Sequence, residues 1–234
     1  MGTEKYQKLV LFDIDGTLIA GKHGHAKSYS DAIKAIHNID FEVDWRGVQG
    51  MTDQQILTEC LLKKGISKEI IQENMDKYMI EMEKSFNKSI ADNSIYPLEG
   101  VKELIIRLKS GGVFLGLVTG NLVSIAQTKL EKLNLWKYFD VGGFGSDDID
   151  RTNLVKLAIR RAEKNFNFKF DNNVFLFGDA PQDIKAAKDA GVQAIGVTTG
   201  IYSKEDLSKQ NPDYILEDLT DIKRILAIVF PRGV

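Results

Sequence analysis

Short apolar runs, each closed by a turn or helix signal, recur at residues 8–14, 113–118, 174–177 and 193–197. Runs of this length, rich in branched and aromatic residues and apolar almost throughout, predict buried parallel strands. Residues 213–216 add an edge strand. Apolar positions three and four apart predict helices over 100–109, 123–133, 154–165 and 183–190. The alternation predicts an α/β fold, a doubly wound parallel sheet with helices on both faces. Residues 21–96 break it: helical spacing over 26–36 and 70–86, and a capping box at Thr52-Asp53-Gln54-Gln55, predict an inserted all-helical module. The expected division is a core of residues 1–20 and 97–234 and a helical cap of 21–96. Its linkers lie near 20–24 and 91–96, close enough together for the module to hinge as a lid.

Composition narrows the function. Of the 234 residues 43% are hydrophobic and 27% charged, with a net charge of -2. This is an ordinary globular balance without the basic footprint of a nucleic-acid binder, so any anion binding is local. The single cysteine, Cys60, excludes a disulfide framework and multi-cysteine metal sites, reads as a small buried apolar residue and agrees with a reducing compartment. The apolar run 9–12 is too short for a signal-peptide core and ends on an aspartate, and no segment is long enough to span a bilayer. A cytoplasmic location, a small-molecule partner and a monomer or homodimer are expected.

The predicted strands end in Asp13-Ile14-Asp15-Gly16-Thr17, Thr119-Gly120-Asn121 and Gly178-Asp179. Ligands of open α/β sheets sit beyond the carboxyl ends of strands, so these residues converge on one edge. Gathered carboxylates repel one another unless a cation lies among them. Asp13 and Asp15 suit divided labour, one attacking phosphorus and the other serving as general acid and base, although an Asp-Gly pair also makes ordinary turns. An all-oxygen set suits Mg²⁺: Asp13 and Asp179 as direct ligands, Asp15 through its backbone carbonyl, Asp183 directly or through water. Asp183 also suits the first turn of a helix, where acids complement the dipole. Thr119, the Gly120 backbone and Asn121 offer donors to phosphate oxygens or caps to a helix. A fixed cation opposing the acids is expected from Arg151 or Lys156.

These residues resemble the haloacid dehalogenase superfamily, in its phosphatase branch with an α-helical cap. The first motif stands as Asp13-Ile14-Asp15-Gly16-Thr17, the second as Val118-Thr119-Gly120-Asn121 and the fourth as Phe177-Gly178-Asp179-Ala180-Pro181-Gln182-Asp183. The resemblance, nearest to phosphoglycolate phosphatase-like enzymes, implies a Rossmann-like core, an Mg²⁺ cofactor and an aspartyl-phosphate on Asp13 with Asp15 as acid and base. The third motif departs: where the family has Lys followed by Pro, this chain has Arg151-Thr152 or Lys156-Leu157. Cap residues that set the substrate are expected among His23, His25, Lys27, Arg46 and Gly50-Met51-Thr52. A phosphomutase of the same superfamily and a phosphoacceptor switch are the competing readings.

Overall fold

The computed structural model describes residues 7–22, 24–43, 48, 50–90 and 94–231. Its centre is a six-stranded parallel sheet in the order β5-β4-β1-β6-β7-β8. The strands are β1 (Leu9–Phe12), β4 (Phe114–Thr119), β5 (Val141–Phe144), β6 (Val174–Gly178), β7 (Gln193–Val197) and β8 (Tyr214–Leu216). β1 lies between β4 and β6, pairing Phe12 with Leu117 and Phe177. The Asp13 amide extends this register by donating to the Phe177 carbonyl at 2.9 Å. Side chains alternate across a strand. Val10 and Phe12 therefore join a core with α4 (Val101–Ser110), α5 (Val123–Lys132) and α9 (Ile222–Val229). Leu9 and Leu11 face a second core with α6 (Arg151–Phe166), α7 (Pro181–Asp189) and α8 (Lys204–Ser208). This is the expected doubly wound, Rossmann-like sheet.

The segment between β1 and α4 holds α1 (His25–His37), α2 (Asp53–Lys63) and α3 (Lys68–Ser89). Tyr29, Ile33, Leu57, Leu61, Tyr78, Met82 and Phe86 form its own buried cluster, which also takes in Ile125 from α5 and Leu122 just before it. The capping box at Thr52 forms as expected: Thr52 Oγ1 accepts from the Gln55 amide at 3.3 Å, and Gln55 Oε1 from the Thr52 amide at 3.0 Å.

Two differences from the expected elements have physical causes. The predicted linkers are not free chain. β2 (Ile19–Lys22) and β3 (Ser94–Pro97) pair antiparallel, Ile19 with Pro97 and Gly21 with Ile95. A four-residue ribbon carrying Gly and Pro has too little apolar periodicity to read as strand. β5 was also not expected, because its sequence VGGF is short and half glycine. Among the described residues no helix is long and apolar enough to cross a membrane.

Candidate active site

Three strand ends meet over one cavity of about 320 Å³, lined among others by Asp13, Asp15, Thr119, Arg151 and Asp179. Asp13 leaves the end of β1, Asp179 follows β6, and Asp183 lies in the first turn of α7. All three are buried, and one carboxylate oxygen from each lies within 4.8 Å of the others. Thr17 Oγ1 holds Asp179 Oδ1 at 3.0 Å. Gly16 makes this approach possible: its φ is +83°, and a Cβ there would lie 2.4 Å from Asp179 Oδ2.

Arg151 opposes the acids. Its Nη2 donates to Asp13 Oδ1 at 2.6 Å, its Nη1 to the Gly50 carbonyl at 2.8 Å, and its Nε lies 2.9 Å from Asp183 Oδ1. One guanidinium does not neutralise three buried carboxylates. Burial first, and repulsion from Asp183 and Asp15 next, push the Asp13 carboxyl up to about 7 against the pull of Arg151. Burial and Asp13 likewise raise Asp179, and burial with Asp179 raises Asp183. The donor set fits Mg²⁺: every available ligand is oxygen, and buried Asp183 Oδ1 faces Arg151 without accepting an aligned hydrogen bond, leaving coordinating capacity.

Asp15 turns the other way. Lys129 Nζ donates to its Oδ1 at 2.9 Å and its Oδ2 at 2.7 Å, and Asn121 Nδ2 to Oδ2 at 2.8 Å. Behind Lys129 the helical insertion supplies a second polar group. Asp53 accepts from Tyr29 at 2.6 Å and pairs with His25 Nε2 at 3.1 Å, and its Oδ2 also accepts the Leu122 amide at 2.8 Å. Burial alone would raise the Asp53 carboxyl, but His25 and these hydrogen bonds hold it below its ordinary range.

The sequence pattern of the haloacid dehalogenase-like hydrolases matches residues 10–197. This chain belongs to that family. A phosphoglycolate phosphatase of Vibrio parahaemolyticus is 26% identical to the hydrolase, over 97% of this chain and 99% of its own. The pyrophosphatase PpaX of Bacillus velezensis is 27% identical over 97% and 99%. Among solved structures, CbbY from Rhodobacter sphaeroides in complex with phosphate superposes with a TM-score of 0.71 at 18% identity, over 92% of this chain and 96% of that one, a likeness of fold.

The hydrolase brings Asp13, Asp15, Thr119, Gly120, Asn121, Arg151, Asp179 and Asp183 to one edge, as the sequence predicts. Thr119 Oγ1 accepts from Asn121 Nδ2 at 2.8 Å, and the Gly120 carbonyl accepts the Asp53 amide at 2.8 Å. Lys156 is not among them: it is exposed on α6 and does not line the cavity. The helix begins earlier than its apolar pattern suggests, because Asp150 caps it through the Thr152 amide at 2.8 Å and so sets Arg151 in the first turn. Of the expected specificity residues, His25, Gly50 and Met51 line the cavity. Thr52 serves as a helix cap. Lys27 is instead exposed and paired with Asp31 on its own helix, and His23 and Arg46 lie outside the described residues. Lys129, Tyr29 and Asp53 were missed. A signal existed for Lys129: with Ile125, Ala126 and Leu130 it occupies the inward stripe of α5, where a charge needs a partner.

Proposed function

We propose that the protein hydrolyses a small phosphate monoester in the cytoplasm, with Mg²⁺, through an aspartyl-phosphate on Asp13. The observation that carries this reading is the division of two carboxylates two residues apart: Asp13 sits with Arg151, Asp179 and Asp183, while Asp15 is drawn aside to Lys129 and Asn121. Asp13 is then the nucleophile. Its oxygen forms a bond to phosphorus as the ester bond breaks, and the leaving oxygen keeps the electron pair and takes a proton from Asp15. In the second half Asp15 accepts a proton from the attacking water, and the acyl-phosphate bond breaks to return the Asp13 carboxylate. Arg151 stabilises charge on the transferring group. Asp13, Asp179 and Asp183, with the Asp15 carbonyl, would hold Mg²⁺, which supplies charge neutralisation at the phosphoryl oxygens.

Thr119, Gly120 and Asn121 are read as the phosphate-binding turn. Residues 21–96 are read as a cap over a core of 1–20 and 97–234. A cavity of about 320 Å³ is at the small end of ligand pockets, which favours a compact leaving group over a macromolecule. The test is phosphate release from a panel of small phosphate esters, with Mg²⁺ or EDTA, beside Asp13→Asn. Release that requires metal and is abolished by the substitution is expected. An isomerised sugar phosphate without free phosphate would point to a mutase, and no turnover of any ester would overturn the enzymatic reading.

A further inference from the structure

Lys129 is fully buried, at 0% exposure, and its ammonium lies directly against Asp15. A buried ammonium is unfavourable unless its donors are met. Here they are met by Asp15 Oδ1, Asp15 Oδ2 and, at 2.6 Å, Asn121 Oδ1. An ammonium only donates, so Asn121 must turn its oxygen to Lys129 and its nitrogen to Asp15 Oδ2 and Thr119 Oγ1. The result is a closed triangle of Lys129, Asn121 and Asp15 in which no side chain turns without breaking two contacts. The walls around Lys129 come from the helical insertion: His25 Nδ1 is 3.4 Å from Nζ, and the Phe86 ring centroid is 5.8 Å away.

We infer that Lys129 is a positioning residue, which holds Asp15 where its carboxyl meets the leaving oxygen and does so only while the helical insertion sits on the core. The inference rests on the phosphatase reading above. In the step concerned an Asp13 oxygen bonds to phosphorus, the phosphorus–oxygen ester bond breaks with its electron pair staying on the leaving oxygen, and that oxygen takes a proton that Asp15 has first taken up from solvent. Lys129 acts through Asp15, so its importance scales with how badly the leaving group needs a proton. An alkoxide needs one, whereas nitrophenolate leaves without it.

The test compares kcat/KM with Mg²⁺ for the best alkyl phosphate of the panel and for p-nitrophenyl phosphate, in the native protein, Lys129→Met, Asp15→Asn and the double variant. Lys129→Met is expected to lose about 100-fold on the alkyl ester, as for a misplaced general acid, and less than about 5-fold on the nitrophenyl ester. In the Asp15→Asn background the lysine substitution adds no further loss, because the two residues act as one unit. Equal losses on both esters, no loss, or a full additional loss in the double variant would overturn the inference while leaving the phosphatase reading intact. No metal-dependent release by the native protein from either ester would overturn both. Should Lys129→Met not fold, Phe86→Leu opens the chamber without touching Asp15 and gives a smaller loss with the same ester selectivity; its absence overturns the inference equally.

Discussion

At the scale of single residues the site is a problem of charge. Asp13, Asp179 and Asp183 have carboxyls raised from an ordinary 3.8 to about 7, 7 and 6. A raised folded-state value means the unfolded chain gives up its proton first, so the metal-free fold is favoured at low pH and loses stability as pH rises through that window. The melting temperature of metal-free protein is therefore expected to fall between about pH 4 and pH 7, and saturating Mg²⁺ to restore it. A flat profile in EDTA would contradict this. Arg151→Met should lower kcat/KM at least about 100-fold, the size of one lost oxyanion donor, while Lys156→Met stays within about 2-fold. The sequence favours Arg151, which precedes a plausible cap at Thr152, over Lys156, which lies a turn into the helix, without excluding either. Five residues of helix turn a side chain by about 140°, so only one of them faces the acids. The acids themselves were legible, since each ends a strand or opens a helix at a fixed offset. Lys129 was legible only as a charge on an inward stripe in need of a partner, because Asp15 lies 114 residues away and nothing local names it.

At the scale of elements, the N-terminus of α2 joins the helical insertion to the core. Its residues reach two core loops: the Asp53 amide to the Gly120 carbonyl after β4, and, after β5, Gln54 Nε2 to the Gly145 carbonyl at 2.6 Å and Thr52 Oγ1 to the Ile149 carbonyl at 3.4 Å. Thr52→Ala removes a cap and should cost about 1 kcal/mol in urea unfolding. Asp53 has its carboxyl held below the ordinary value, so it stabilises the fold above that range and the contribution is lost as pH falls through the folded value. The junction is thus expected to become protease-sensitive below about pH 4, and Asp53→Asn to bring that sensitivity to neutral pH. The capping box was legible because it is local. The β2–β3 ribbon and β5 were not, since pairing partners elsewhere in the chain, rather than their own periodicity, make them strands.

At the scale of the whole molecule, the expected boundary between core and insertion follows the chain, but the packing does not. α5 belongs to the sheet through Ala126 and Leu130 and to the insertion through Ile125 and its capping residue Leu122. Sequence reading finds the interruption because strand–helix alternation stops there; it does not find a helix with two loyalties, because the inward stripe of α5 does not say which neighbour each of its residues meets. Leu122→Ala and Ile125→Ala are expected to cost about 2–5 kcal/mol each and to loosen the insertion, whereas Leu130→Ala loosens only the core. Hydrogen exchange resolved by segment would separate these effects.

The Leu122 amide also crosses the junction. It opens α5 without a cap from its own helix, and its partner is Asp53 across the junction. A single backbone proton on the core is therefore shielded by a carboxylate that rides on the insertion. Its exchange with solvent deuterium becomes a clock for how often the insertion lifts, and a ligand that holds the insertion down would slow that clock without touching the amide.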